Sequence, residues 1–395
     1  MSPAQAMGTF LRVWREEWAG LSREQVAIAV SALAPKAKVS KYVVREWEQG
    51  QPPHSATELQ ALELVMRVHG ITPPEAEQVR QAVFDACSSQ RYPELFEDES
   101  IAHREDVEEL AYTLHRREAA APCATSIVSL VAFQRELEAA VYGTESGVDG
   151  PQAGGRRLAL AWVRSIMGHR HWKHAERPTQ AARCFGDNAD FLGAYFGRHG
   201  LPPDLSVLGQ RSCEVYARLQ AAQAAGQKEE VRRQARALAQ VYERAWETQD
   251  HPAALHSLYI AVYPHELPRE EALVLLREGN RRLLHKPNQG MPMAYRRVAL
   301  CTASLHLGLL GEAGEHLAAI EWFRTAGPSE QTVWATLAGD WACRRTNYDE
   351  AQAQYERALE TARKLGHWGG VLAAEKALAA CDRARAGSST TRTAK

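Results

Sequence analysis

From end to end the chain breaks into short segments in which apolar residues return every three or four positions, and strand-like alternation is absent. That pattern admits helices packed on helices and little else, so an all-α fold is expected. The clearest segments come first. Phe10, Leu11, Trp14 and Trp18 line one face of a helix that Gly20 ends. Ser22 and Gln25 form a capping box, in which each side chain satisfies the other's free backbone amide. Val26, Ala27 and Val30 then give the second helix a narrow buried stripe. Ser40 caps a third helix, KYVVREWE, which Gly50, Pro52 and Pro53 stop. Ser55 with Glu58 opens a fourth, carrying Leu59, Leu62, Val65 and Met66, and Thr72 to Glu75 opens a fifth with prolines in its first turn. Residues 1–87 are thus read as one five-helix domain.

At 395 residues the chain has room for about two or three domains. No apolar run reaches the roughly eighteen residues that a membrane span needs, so no membrane partner is expected. The first twenty residues lack the order of a secretory leader. Cysteine usage points the same way: the 7 cysteines are odd in number, scattered and never CxxC, as in reduced thiols of a cytoplasmic protein. The net charge of −1 gives no overall attraction to nucleic acid, and basic and acidic residues balance even within 1–80. Positive charge is gathered locally instead. Lys36, Lys38, Lys41 and Arg45 fall between Ala34 and Arg45 without an acid among them. A neutral domain can hold phosphates when its cations share one face.

The run LRVWREEWAGLSREQVA, then SKYVVREWEQG and two prolines, resembles the Xre/Cro type of helix-turn-helix. Leu11, Arg12, Arg15, Glu16, Leu21, Ser22, Ala27, Ser40, Val44, Trp47, Glu48, Gly50 and Pro53 carry the match. Two features depart from that pattern. Arg23 stands where glutamine is common, and the stretch Ser31 to Val39 is longer than the family's turn. Ala32 and Leu33 are read as an extra turn of the second helix, leaving Pro35 to Lys38 as a basic loop. The resemblance implies that the third helix enters the major groove of double-stranded DNA. Ser40, Lys41, Tyr42 and Arg45 would then reach base edges, with Arg23, Lys36, Lys38 and Gln51 on phosphates and Trp47 in the core.

Beyond residue 87, a polar, acidic stretch at 88–102 reads as a linker, and 103–200 as a helical domain with a Gly-rich mobile loop at 143–155. Residues 201–385 read as an array of helix pairs, and 386–395 as a disordered tail. Gly339, Tyr348, Ala351, Tyr355 and Ala358 resemble the small-and-aromatic pattern of a tetratricopeptide repeat, and Ser304, Leu307, Gly311, Ile320 and Phe323 an earlier unit of it. The expected architecture is therefore an Xre-type domain followed by an α-solenoid. Stacked pairs leave a concave groove suited to peptides or partner helices. The combination resembles cytoplasmic peptide-pheromone receptors, which implies a homodimeric transcription regulator with a peptide or protein effector. Asn280, Asn288 and Arg297 are the polar groove candidates. The alternative is a protein-interaction adaptor whose N-terminal domain no longer binds DNA.

His169, His171 and His174, with Cys184 further on, have the residue types of a zinc site. Arg170, Lys173 and Arg177 crowd them with positive charge, so they are read as a solvated basic helix end that could touch nucleic acid or an acidic partner. No phosphate-binding loop or nucleophile elbow occurs, and neither a cofactor nor an enzymatic activity is expected.

Overall fold

A computed structural model describes residues 2–53, 55–91, 105–120, 125–143, 153–174, 177–196, 201, 205–248, 250, 269–284, 293–365 and 368–393. Every regular element among them is a helix, and none is long and apolar enough to cross a membrane. The chain divides into two compact units: Met1–Arg170 with Ala175–Arg177, and His171–His174 with Pro178–Lys395.

In the first unit α1 (Pro3–Val13) runs on into a π-helical turn, Trp14–Ala19, which Gly20 closes in the left-handed region at φ 64°. The wider turn sets the Trp18 ring edge-on to Phe10, centroids 5.6 Å apart. The helices α2 (Arg23–Leu33), α3 (Lys41–Glu48), α4 (Ala56–Val68) and α5 (Pro73–Arg91) follow. Their caps are those the sequence announces. Ser22 Oγ accepts from Gln25 N–H at 3.2 Å while the Gln25 side chain accepts from Ser22 N–H at 2.7 Å. Ser40 accepts from Val43 and Ser55 from Glu58, at 3.4 and 3.2 Å. Phe10, Trp14, Val26, Val30, Val44, Trp47, Leu62 and Met66 are buried together as the core that these faces predict.

One close approach sets how α1 lies on the end of α3. A Cβ on Gly8 would stand 2.7 Å from both the Glu48 carbonyl oxygen and the Gly50 amide nitrogen. Backbone cannot rotate out of the way as a side chain can. Gly8→Ala is therefore expected to lose about 3 kcal/mol in urea unfolding, the upper end for overpacking. A loss below about 1 kcal/mol would show that α1 slides away without penalty.

The helices α6 (Val107–Ala120), α7 (Ile127–Tyr142) and α8 (Ala153–His169) belong to this same unit. The five-helix segment therefore does not close on itself: α7 packs on α1 and α5, burying Ile127, Val128, Leu130, Val131 and Phe133. α5 continues to Arg91, so the stretch read as a linker starts inside a helix, and 92–104 lie outside the described residues. Of the Gly-rich stretch, 144–152 lie outside them as well, and α8 has begun by Ala153.

A buried polar network ties α5 to the later helices. Glu75, 1% exposed, closes the α5 cap by accepting from Thr72 N–H and Oγ1–H, each at 3.0 Å. The same carboxylate accepts from Arg177 Nη2 through both oxygens, and Arg170 Nε lies 3.8 Å from it. Arg170 also donates to Thr125 O at 2.6 Å and to Gln78 Oε1 at 2.7 Å. Gln78 Oε1 in turn accepts from Ile127 N–H at 3.0 Å, supplying the first turn of α7 with a partner that Ser126 does not provide. The Arg177 guanidinium lies over the Trp18 ring, 4.6 Å from its centroid. Arg170 and Arg177 are thus buried, and the reading of a solvated basic helix end is corrected. Carboxylate and amide partners far off in sequence draw these cations inward.

The second unit contains α9 (Pro178–Tyr195), α10 (Val207–Ala224), α11 (Lys228–Glu247) and α12 (Arg269–Leu284). Then come α13 (Met293–Leu307), α14 (Leu310–Ala318), a 3-10 turn over Glu321–Thr325, α15 (Pro328–Arg344), α16 (Tyr348–Lys364) and α17 (Trp368–Thr393). Neighbours in sequence pack as neighbours in space: α9 on α10, α10 on α11, α13 on α14, α15 on α16 and α16 on α17. Gly226, Gly308 and Thr346 make the tight reversals at φ 68°, 73° and 62°. At Gly339 α16 approaches α15 closely, since a Cβ there would lie 2.6 Å from the Tyr355 ring. The Tyr355 hydroxyl donates to Asp340 at 2.7 Å. Ala335, Ala358 and Ala374 are buried together where α15, α16 and α17 converge. α17 extends to Thr393, through the stretch read as a disordered tail.

Candidate functional site

The exposed positive edge begins where α2 ends. Leu33 closes α2 as the extra turn requires, and Ala34 is buried beneath it. Val39 is buried too, its carbonyl accepting from Ser31 Oγ–H at 3.0 Å. Between these anchors Pro35 to Lys38 form a tight projecting turn, with Ala37 N–H on Ala34 O at 2.9 Å and Lys38 at φ 48°. Lys36 and Lys38 stand exposed on it. The long turn is thus a short pinned bracket that carries two cations.

α3 follows directly, with two distinct faces. Val44 and Trp47 are buried, while Lys41, Tyr42 and Arg45 are exposed one turn apart on the other side. Tyr42 is 65% exposed, and the Lys41 ammonium lies 5.6 Å from its ring centroid. Ser40 is exposed as well, its hydroxyl oxygen occupied by the cap. Gln51 is exposed just past the left-handed Gly50.

The acid at the end of α3 does not offset this charge outward. Glu48 points inward, accepting from Arg15 Nε and, at 2.7 Å, from Arg23 Nε. Arg15 is itself buried and donates to Leu21 O at 3.0 Å and to Glu16 at 2.7 Å. Burial works to lower the Arg15 pKa, but its bonds to Glu48 and Glu16 prevail and the net direction is upward. Arg23 therefore differs from the other candidates. Its side chain, 41% exposed, is held on Glu48 and braces α2 against α3.

Of the three groove candidates only Arg297 has a described side chain. Asn280 lies on α12 with its side chain undescribed, and Asn288 lies outside the described residues. Arg297 is half-buried, its Nη1 3.0 Å from His316 Nδ1. Burial, aided by the Arg297 charge, pushes the His316 pKa down to about 4, so the ring is neutral at neutral pH and Nδ1 accepts. A cleft of about 430 Å³ opens instead between α11 and α12, lined by Ala239, Glu243, Glu270, Glu271, Val274, Leu275 and Glu278. Sequence reasoning missed it, since its lining comes from two helices whose charged faces look ordinarily solvated.

Of the histidine group, His171 is fully buried, His169 is half-buried and the His174 side chain is undescribed. No cluster able to hold a metal ion occurs among the described residues. Comparison with known protein families, curated proteins and solved structures finds no match for the chain.

Proposed function

We propose that this chain is a sequence-specific DNA-binding transcription regulator, its first helices an Xre-type helix-turn-helix and α3 the recognition helix. The observation that carries this reading is the exposed edge of Lys36, Lys38, Lys41, Tyr42 and Arg45, on a helix fixed from behind by Trp47 and Glu48. Lys41 and Arg45 read base edges; Lys36 and Lys38 hold phosphates. The helix pairs of the second unit serve as a tetratricopeptide-like array that dimerises and senses a peptide or protein effector. Gly339 against Tyr355 and the buried Ala351 and Ala358 support that part. The acidic lining of the α11–α12 cleft favours a basic effector.

The test is selection of bound fragments from random DNA, followed by salt titration on the enriched sequence. Lys41→Ala/Arg45→Ala is expected to weaken that complex by about 30-fold or more, since each base contact contributes roughly 1–3 kcal/mol. Lys36→Ala/Lys38→Ala is expected to weaken all sequences alike and to reduce the salt slope by about 2. Failure to enrich any motif sinks the reading. The balance of charge over 1–80 favours one other reading, a protein-interaction adaptor. In that case the two double substitutions leave partner capture by the second unit unchanged.

A further inference from the structure

The cysteines are scattered in sequence, yet two of them meet in space. Cys381 in α17 is buried in one cluster with Ala342, Ala351 and Tyr355, and Cys343 in the last turn of α15 packs against that cluster. The helix α17 touches α15 directly as well as through α16. The two sulfurs are not equivalent. Cys381 is buried and its Sγ–H donates to the Tyr348 carbonyl at 3.7 Å, while Cys343 is half-buried at the rim. Cys343 is thus the more accessible residue of the two and Cys381 the enclosed one.

We propose that Cys343 and Cys381 form a reversible oxidation site, in which a small-molecule disulfide of the glutathione class links them and locks α17 onto α15. The Cys343 thiol loses its proton to solvent, and its sulfur attacks one sulfur of the small disulfide. That S–S bond breaks, one small thiolate leaves and takes up a proton, and Cys343 carries a mixed disulfide. Cys381 then loses its proton and attacks Cys343 Sγ, expelling the second small thiolate, which is protonated in turn. Two protein thiols are oxidised to one disulfide, and one small disulfide is reduced to two thiols. Burial pushes the Cys381 thiol pKa up, which makes it a poor first nucleophile. In the second step its target packs against the same cluster, so proximity compensates.

Cys301, Cys213 and Cys87 sit in other surroundings. Cys301 donates to Ala313 O at 3.4 Å, and burial pushes its thiol up to about 12. Cys213 is buried in a separate cluster with Phe185 and Ala217. Cys87 is exposed, which makes it a site for mixed disulfide.

The test is to treat the full chain with oxidised glutathione, alkylate the remaining thiols and map peptides by mass spectrometry without reduction. A linked pair containing Cys343 and Cys381 is expected, reversed by dithiothreitol, with a thermal midpoint several degrees higher while the link persists. Cys381→Ser should trap glutathione on Cys343. Cys343→Ser should leave Cys381 unmodified, which fixes the order of attack. The proposal is overturned if folded wild-type protein yields Cys343 and Cys381 only as alkylated or glutathione-bearing peptides. It is equally overturned if either serine variant gives the reverse pattern.

Discussion

Glu75→Ala is expected to lower folding stability by about 3–5 kcal/mol, the range for breaking a buried ion pair from one side. The carboxylate is almost wholly enclosed, and Arg177 is held by both of its oxygens. Removing it leaves the Arg177 guanidinium in a low-dielectric interior and takes one neighbouring carboxylate from Arg170. It also opens the α5 cap, since the Thr72 amide and hydroxyl both lose their acceptor. Glu75→Gln keeps an oxygen for the cap but no charge for the arginines, and should fall about midway. Urea unfolding of the full chain, read by tryptophan fluorescence, measures both variants, because Trp18 lies under Arg177. An alanine variant within about 1 kcal/mol of wild type would mean that water reaches the site and solvates the arginines.

A second large effect is expected at Glu48. Glu48→Ala should lose about 3 kcal/mol, the lower end of the same range, because Arg15 keeps its bonds to Leu21 O and Glu16. The comparison that isolates the cause is Arg23→Ala. Arg23 is far more exposed than Arg15, and losing its pair with the same carboxylate should change stability by less than about 1 kcal/mol. If the two substitutions prove equal, Arg15 is not the buried charge that sets the result. Glu48→Ala should also loosen α3 against α1 and α2. Faster amide hydrogen exchange at Val43, Val44 and Trp47 is the direct readout.

What could be read in the sequence was whatever a few adjacent residues decide. Ser22 with Gln25, Ser40, and Ser55 with Glu58 are complete local circuits, and their helices start where those circuits place them. The inward face of α3 was legible for the same reason, as Val44 and Trp47 mark it by spacing alone. The exposed cations around α3 follow from that face by subtraction. Contacts between distant segments were not legible. Thr72 and Glu75 read as a helix cap, and they are one. Nothing local says that the capping carboxylate also receives Arg177 from a hundred residues away. Arg170 and Arg177 looked like surface charge because their partners are Gln78, Thr125 and Glu75, none of them nearby in sequence. Gly8 gave no signal either, since the backbone it must admit belongs to the end of α3. Arg23 was readable as a cation, but its carboxylate partner was not.

The burial of α7 against α1 and α5 has a consequence for portability. Five helices that look self-contained in the sequence share their interior with a sixth partner that enters some forty residues later. A fragment ending at residue 87 would carry α1 with its flank uncovered, and Glu75 would face solvent with neither arginine. The first helices are therefore not a cassette to be cut out and grafted elsewhere. The smallest transferable piece of this protein runs at least to Arg177, so any binding the edge of α3 performs is exercised within that larger body.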